Sequence, residues 1–375
     1  MEIFVNGIGS VSAGGSNVRE FAETVRSGKS PLHKPTRFRT KLEFPVGEVP
    51  LSDIDLKQEL CIEGIMSRTS LLGLKAVREA LADFGARTGV NKPCRVAFIS
   101  GTSVGGMDLS EEFWEHNRDN FAGGDVQMLK MHDPGAVTDA MVQYLETEGY
   151  MGSTVFVNTV STACSAAGNA IMLGAKLLRL GEADIAIVGG TDSLCKFTMN
   201  GFNSLRILDP EICRPFDESR AGLNLGEGAG YLILSPNDAG AYCRLSGWGN
   251  ANEAYHQTAS TPEGIGPGLA MEAAIRSAGI SPSEIDYVNT HGTGTQINDM
   301  AEMNAMNRVF GGKIPPFSSL KPFAGHTLGA SEGIEAAWVC GMMKDRGYRH
   351  VLSSAFGFSG NCVSLVFSES YVVYT

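Results

Sequence analysis

The chain predicts an α/β layered fold, and three observations carry that prediction. Strand-patterned and helix-patterned segments alternate along all 375 residues, as they must when helices cover the faces of a sheet. The alternation restarts near residue 245 with no low-complexity linker at the restart. This predicts two similar halves, 1–244 and 245–375, sharing one packed body. The composition is globular, with 43 % hydrophobic and 19 % charged residues, enough apolar material for a sizeable core.

The elements follow in order. EIFVNGIG and CRVAFISGTS read as buried strands that end in small-residue turns. Between them, SRTSLLGLKAVREALADFG has helical spacing and stops at glycine, a common helix terminator. STVFVNTV is the next strand, and a helix follows Cys164. ADIAIVGGTDS, GEGAGYLILS and AYCRLSGWGN supply three more strands. The second half begins with the helix GPGLAMEAAIRSAGI, then the strand and loop IDYVNTHGTGT, then the helix INDMAEMNAMNRVFG. HTLGASEGIEAAWVCGMMKD is the last helix and CVSLVFSES the last strand.

A net charge of −11 disfavours non-specific binding to nucleic acid or an anionic membrane. The opening MEIFVNGIGS shows no basic segment followed by an apolar run, so no signal peptide is expected. No stretch approaches the roughly 18 apolar residues of a membrane helix. The eight cysteines, at 61, 94, 164, 195, 213, 243, 340 and 362, form no CxxC pair. Neither a zinc framework nor a disulfide framework is expected, and a reducing cytoplasm fits best.

Cys164 lies between a strand and a helix, followed by Ser165, Ala166, Ala167 and Gly168. A helix N-terminus carries partial positive charge and free N–H groups, which predicts a stabilised thiolate. The small neighbours leave room for a substrate. His291, in VNTHGTGTQIND, and His326, in SSLKPFAGHTLGAS, also occupy strand-to-helix junctions. In α/β folds such junctions gather at one sheet edge and build sites. A thiol with two imidazoles suits acyl transfer, with the thiol as nucleophile and the imidazoles donating hydrogen bonds or moving protons.

Five ordered stretches resemble the β-ketoacyl-acyl carrier protein synthases of the type I/II class, within the thiolase-like fold. They are TACSAAGNAI, RPFDESRAGLNLGEGAG (214–230), NTHGTGTQINDMAE (289–302), KPFAGHTLGASEGIEA (321–336) and SAFGFSGNCVSLVF (354–367). The resemblance implies a five-layered αβαβα body. It implies that Cys164 holds an acyl group as a thioester while a malonyl-carrier protein loses carbon dioxide and the carbanion attacks. His291 and His326 would stabilise the enolate, and the backbone N–H groups of Cys164 and Phe358 would form an oxyanion hole. Lys321 and Glu335 would be an ion pair holding His326 in place. Thr293, Thr295 and, less directly, Thr258 would line the phosphopantetheine arm, with no cofactor bound to the chain itself. Phe356 and Phe358 would border the acyl pocket. Arg206, with Arg68 and Lys130, would meet the acyl carrier protein. The expected assembly is a homodimer, or a heterodimer with a ketosynthase-like subunit of the chain-length-factor type.

Three departures mark the chain. RGYRH leads almost directly from the last helix into VLSSAFGFSG, Asn298 stands where the family has glycine, and 125–145 matches poorly. They point away from routine fatty acid elongation and toward a specialised polyketide or aryl polyene synthase. Two other readings compete. A thiolase-type enzyme would use Cys362 as a second catalytic cysteine, and a tunnel-shaping partner subunit would lack catalysis.

Overall fold

The computed structural model describes residues 1–93, 95–120 and 124–370; Cys94 lies outside them. The strands, in chain order, are β1 (Phe4–Ser12), β2 (Val96–Gly101), β3 (Thr154–Val160), β4 (Ile185–Asp192), β5 (Gly228–Ser235), β6 (Cys243–Asn252), β7 (Tyr287–Asn289), β8 (Phe317–Ser318), β9 (His350–Phe356) and β10 (Asn361–Ser368). The helices are α1 (Val18–Ser27), α2 (Asp53–Leu60), α3 (Arg68–Thr88), α4 (Met107–Asn117), α5 (Gln127–Lys130), α6 (Pro134–Thr147), α7 (Ala166–Leu180), α8 (Lys196–Ser204), α9 (Ile265–Ala278), α10 (Gln296–Val309), α11 (Lys321–Ala324) and α12 (Ser331–Arg346).

The strands join in the order β3-β2-β4-β5-β1-β6-β10-β9-β7-β8. Read outward from the centre, both halves run first, fifth, fourth, second, third strand. The pairing directions repeat as well. β2 is parallel to β3 and β4, as β7 is to β8 and β9. β5 is antiparallel to β1 and β4, as β10 is to β6 and β9. The halves meet where Phe4 and Val5 of β1 oppose Arg244 and Cys243 of β6.

Glycine shows the same duplication at atomic scale. A Cβ on Gly9 of β1 would sit 2.1 Å from the Ala76 carbonyl oxygen of α3, and one on Gly249 of β6 would sit 2.1 Å from the Ala270 carbonyl oxygen of α9. Each half therefore seats its outer helix on a bare glycine backbone.

α3 covers one outer face and α9 the other. α7 and α12 lie between the two half-sheets, touching each other and strands of both halves. The layers are αβαβα. The middle layer holds the largest apolar cluster, in which Ile171 and Leu178 of α7 and Ile334 and Val339 of α12 meet Ile99, Leu234, Val351 and Leu365 from both half-sheets. This burial at about 25 cal/mol per Å² of apolar surface fixes α7 and α12, and their N-termini carry the site.

Several helices went unread in the sequence, though α1 carries its signals plainly. The Asn17 side chain accepts from the Glu20 N–H at its start, and Gly28 ends it at φ 68°. The short connection after α12 is real in three dimensions: α12 ends at Arg346 and β9 begins at His350. No helix among the described residues is long and apolar enough to cross a membrane.

Candidate active site

β3 ends at Val160, and the chain turns sharply before α7. Ala163 adopts φ 54° in that turn, a left-handed conformation costly for a residue with a Cβ. Ser165 Oγ holds the turn from within hydrogen-bond distance of two acceptors, 2.7 Å from the Thr162 carbonyl oxygen and 2.7 Å from Asn361 Oδ1. Cys164 projects from its apex, 4 % exposed. The second half repeats the device before α12. There His326 follows Gly325 (φ 73°) and precedes Leu328 (φ 51°). Cys164 and His326 thus stand at matching junctions, while His291 comes from the loop between β7 and α10.

The three side chains meet. Their thiol and ring nitrogen atoms lie within 4.8 Å of one another, and the two imidazole rings are 5.3 Å apart, edge to face. The Leu328 N–H donates to His326 Nδ1 at 3.3 Å, with Ser331 Oγ at 3.1 Å. That leaves the ring proton on Nε2, so His326 faces the site as a donor. His291 is set by its backbone: Glu302 accepts from the His291 N–H and the Gly292 N–H, each at 2.9 Å.

Burial lowers both histidines well below their ordinary pKa, and the positive charge of Lys321 lowers them further. Both imidazoles are neutral at neutral pH. The thiol differs from expectation. Burial pushes Cys164 up to about 11. Lys321 and the Phe358 N–H, which donates toward the sulfur, act in the opposite direction but lose to desolvation. The resting nucleophile is a thiol, and the predicted thiolate is corrected on that ground.

Lys321 Nζ bonds Glu335 Oε1 at 2.6 Å, with side chains 1 % and 4 % exposed. Glu335 also accepts from Asn289 Nδ2 at 3.1 Å. The pair reaches the histidines through its field; the direct contacts that hold the His326 ring are Leu328 and Ser331.

A cavity of about 380 Å³ opens above the three residues. Thr258, Thr293, Thr295, Phe356, Phe358 and Arg206 all line it. Thr293 and Thr295 share a hydrogen bond at 2.9 Å between their hydroxyls. Phe358 stacks on Phe202, and Phe356 meets the His291 ring edge. Asn298 lines the cavity too. It sits in the first turn of α10 without positive φ, and its Nδ2 donates to Asp299 Oδ1 at 3.1 Å.

Arg206 is exposed at the rim, just past α8, with φ 56°. Lys130 is exposed on α5, outside the cavity lining. Arg68 is corrected: it is 2 % exposed. Its guanidinium bonds both oxygens of Glu227, at 2.8 and 2.6 Å, and Asp53 at 2.5 Å. A group so enclosed has no face left for a partner. The pairing also explains GEGAG, whose Glu227 further accepts from the Val49 and Leu194 N–H groups.

Sequence reasoning missed Asp192. Its carboxylate accepts from Thr102 Oγ1 at 2.5 Å and from the N–H groups of Ser103, Val104 and Gly329. It thereby ties the loop after β2 to the loop that carries His326. The buried acid in GGTDS was the only available signal. Cys362 is fully buried on β10, outside the cavity lining, so among the described residues no second thiol of the thiolase kind lines the site.

Residues 1–239 match the family described as beta-ketoacyl synthase, N-terminal domain, and residues 242–353 match its C-terminal domain. The chain is a β-ketoacyl synthase. Among curated relatives of this synthase, 3-oxoacyl-[acyl-carrier-protein] synthase 2 of Staphylococcus aureus is 32 % identical over 366 residues, covering 92 % of this chain and 86 % of that one. A putative polyketide beta-ketoacyl synthase 1 of Streptomyces cyaneus is 32 % identical over 89 % of this chain and 83 % of that one. In structure, the synthase superposes on the ishigamide ketosynthase/chain length factor with TM-score 0.89 at 26 % identity, over 99 % of both chains. It also resembles a ketosynthase solved with its chain length factor from Xenorhabdus doucetiae, TM-score 0.81 at 30 % identity over 98 % of both. The Cys-His-His set makes it an acyltransferase of the condensing kind.

Proposed function

We propose that this synthase extends an acyl chain by decarboxylative Claisen condensation, using malonyl-carrier protein in polyketide, polyene or fatty acid assembly. The carrying observation is the meeting of one thiol and two neutral imidazoles at the floor of a cavity, with the Phe358 amide aimed at the sulfur. Acyl transfer forms the Cys164 thioester and frees the phosphopantetheine thiol. The malonyl unit then breaks its bond to the carboxylate, releasing carbon dioxide and leaving an enolate. Nε2–H of His326 and the ring of His291 stabilise the enolate oxygen. Donors placed in advance at such charge are worth about 2.7–4 kcal/mol each. The enolate carbon attacks the thioester carbonyl, whose oxygen the Cys164 and Phe358 amides receive. The carbon–sulfur bond breaks, and Cys164 regains a proton.

No cofactor resides on the chain in this reading. The phosphopantetheine arm arrives on an acyl carrier protein, and the hydroxyls of Thr258, Thr293 and Thr295 suit its amides. Arg206 at the rim suits an acidic carrier. The structural relatives crystallised with chain length factors support a second ketosynthase-like subunit as the partner, or a second copy of this chain. β3 offers the place. It is the outermost strand of its half, with Val155 and Val157 45 % and 40 % exposed.

Intact-mass measurement with acyl-carrier protein and trapping of carbon dioxide test the reaction. Cys164→Ala should form no acyl adduct, and Cys164→Gln should release carbon dioxide from malonyl-carrier protein without condensation. An acyl adduct on the alanine variant rejects Cys164 as nucleophile.

A further inference from the structure

The three groups of the active site also satisfy a different chemistry. One sulfur and two imidazole nitrogens within 4.8 Å make a soft three-donor set. Protein sites of three such ligands with an open fourth position are a familiar zinc arrangement. We propose that Cys164, His291 and His326 bind zinc(II) and that the ion switches the synthase off reversibly.

The donor atoms need only small movements. Zinc takes sulfur at about 2.3 Å and imidazole nitrogen at about 2.0–2.1 Å, so donors around it stand roughly 3.3–3.6 Å apart. Rotations that shift each donor by about 1 Å close the set. The thiol gives its proton to solvent as the zinc–sulfur bond forms, and no oxidant or reductant enters. For His326 to ligate through Nε2, its proton moves to Nδ1; the Leu328 N–H then gives up its 3.3 Å bond to that nitrogen, and Ser331 Oγ at 3.1 Å accepts the proton instead. His291 Nδ1 has no hydrogen-bond partner among the described residues, so no such bond fixes the ring's tautomer. The cavity above gives the ion its way in.

Lys321 opposes the ion, and among the described residues His291 Nδ1 has no hydrogen-bond partner to anchor it. Both features make the site weaker than a dedicated structural zinc site, which suits reversible inhibition. The bound ion occupies the nucleophile and both donors at once, so neither acyl transfer nor decarboxylation proceeds.

The test reads the metal directly and so stands apart from the condensation reaction. The purified full-length synthase is titrated with zinc sulfate, and bound metal is counted by mass spectrometry after desalting. Alkylation of Cys164 by iodoacetamide is followed in parallel, and cobalt(II) replaces zinc for optical spectra. The expected result is one zinc per Cys164, protection of Cys164 from alkylation, recovery with a chelator, and a thiolate-to-cobalt charge-transfer band. Cys164→Ser should lose that band, and His326→Ala should lose zinc protection at least tenfold. Ser331→Ala should weaken zinc about 10–100-fold. Equal protection in wild type and His326→Ala, or no metal retained by wild type, overturns the assignment.

Discussion

Lys321 places a buried positive charge beside two imidazoles. After burial itself, that charge is the next cause keeping them neutral. A histidine with a lowered pKa stays neutral to lower pH, so the acid limb of decarboxylation should lie below about 6.5. Lys321→Ala removes the charge that lowers both histidines, so both titrate higher and the acid limb moves up. Lys321→Arg keeps the charge and should keep the limb. The pH profile of carbon dioxide release distinguishes them, and identical profiles for wild type and Lys321→Ala would reject the field argument. Glu332 is another residue whose protonation matters. It is fully buried; burial first and the neighbouring Glu335 second raise its pKa well above the ordinary value. An acid raised in the folded state holds its proton while the unfolded chain releases one. Stability therefore falls as pH rises above about 4.5, by at most about 1.4 kcal/mol per pH unit, until the folded group ionises. Glu332→Gln should be more stable than wild type at pH 8, with a smaller gain at pH 6. Urea melts at the two values check the sign.

The paired glycines carry the argument at the level of elements. Gly249→Ala drives a methyl onto the Ala270 carbonyl, and α9 must move away from β6. Overpacking of this sort costs about 1–3 kcal/mol. Gly9→Ala should cost the same in the other half, against α3. Denaturation midpoints would measure both, and a loss confined to one half would break the structural equivalence. The duplication was legible in the sequence as a restart of the element pattern near residue 245, because periodicity is a local property, but AYCRLSGWGN falls with the first half in that reading, whereas it is β6, the first strand of the second. Three strand-to-helix junctions with Cys164, His291 and His326 were legible for the same reason. What escaped depends on distance through space. Arg68 reads as a free basic residue until Glu227, 159 positions away, closes over it. Cys164 reads as a thiolate from its helix, and only the packing around it shows that desolvation prevails. Asp192 bridges two halves of the molecule that no local window contains together.

For the molecule as a whole, the decisive feature is the open edge at β3. Exposed strand edges with apolar side chains invite pairing, and proteins without a partner usually blunt them. Val157→Lys puts a charge at the centre of that edge. It should shift the protein toward monomer in light scattering while leaving the monomer folded by circular dichroism. An unchanged dimer would place the interface elsewhere.

That same strand runs into the strained turn at Ala163, and only three residues separate Val160 from Cys164. Whatever grips β3 therefore grips the base of the nucleophile. The association state of this protein should be audible in the chemistry of a single sulfur. Labelling Cys164 at rising protein concentration should give a rate that changes and then levels off where subunits finish pairing, so a thiol reagent becomes a clock for assembly.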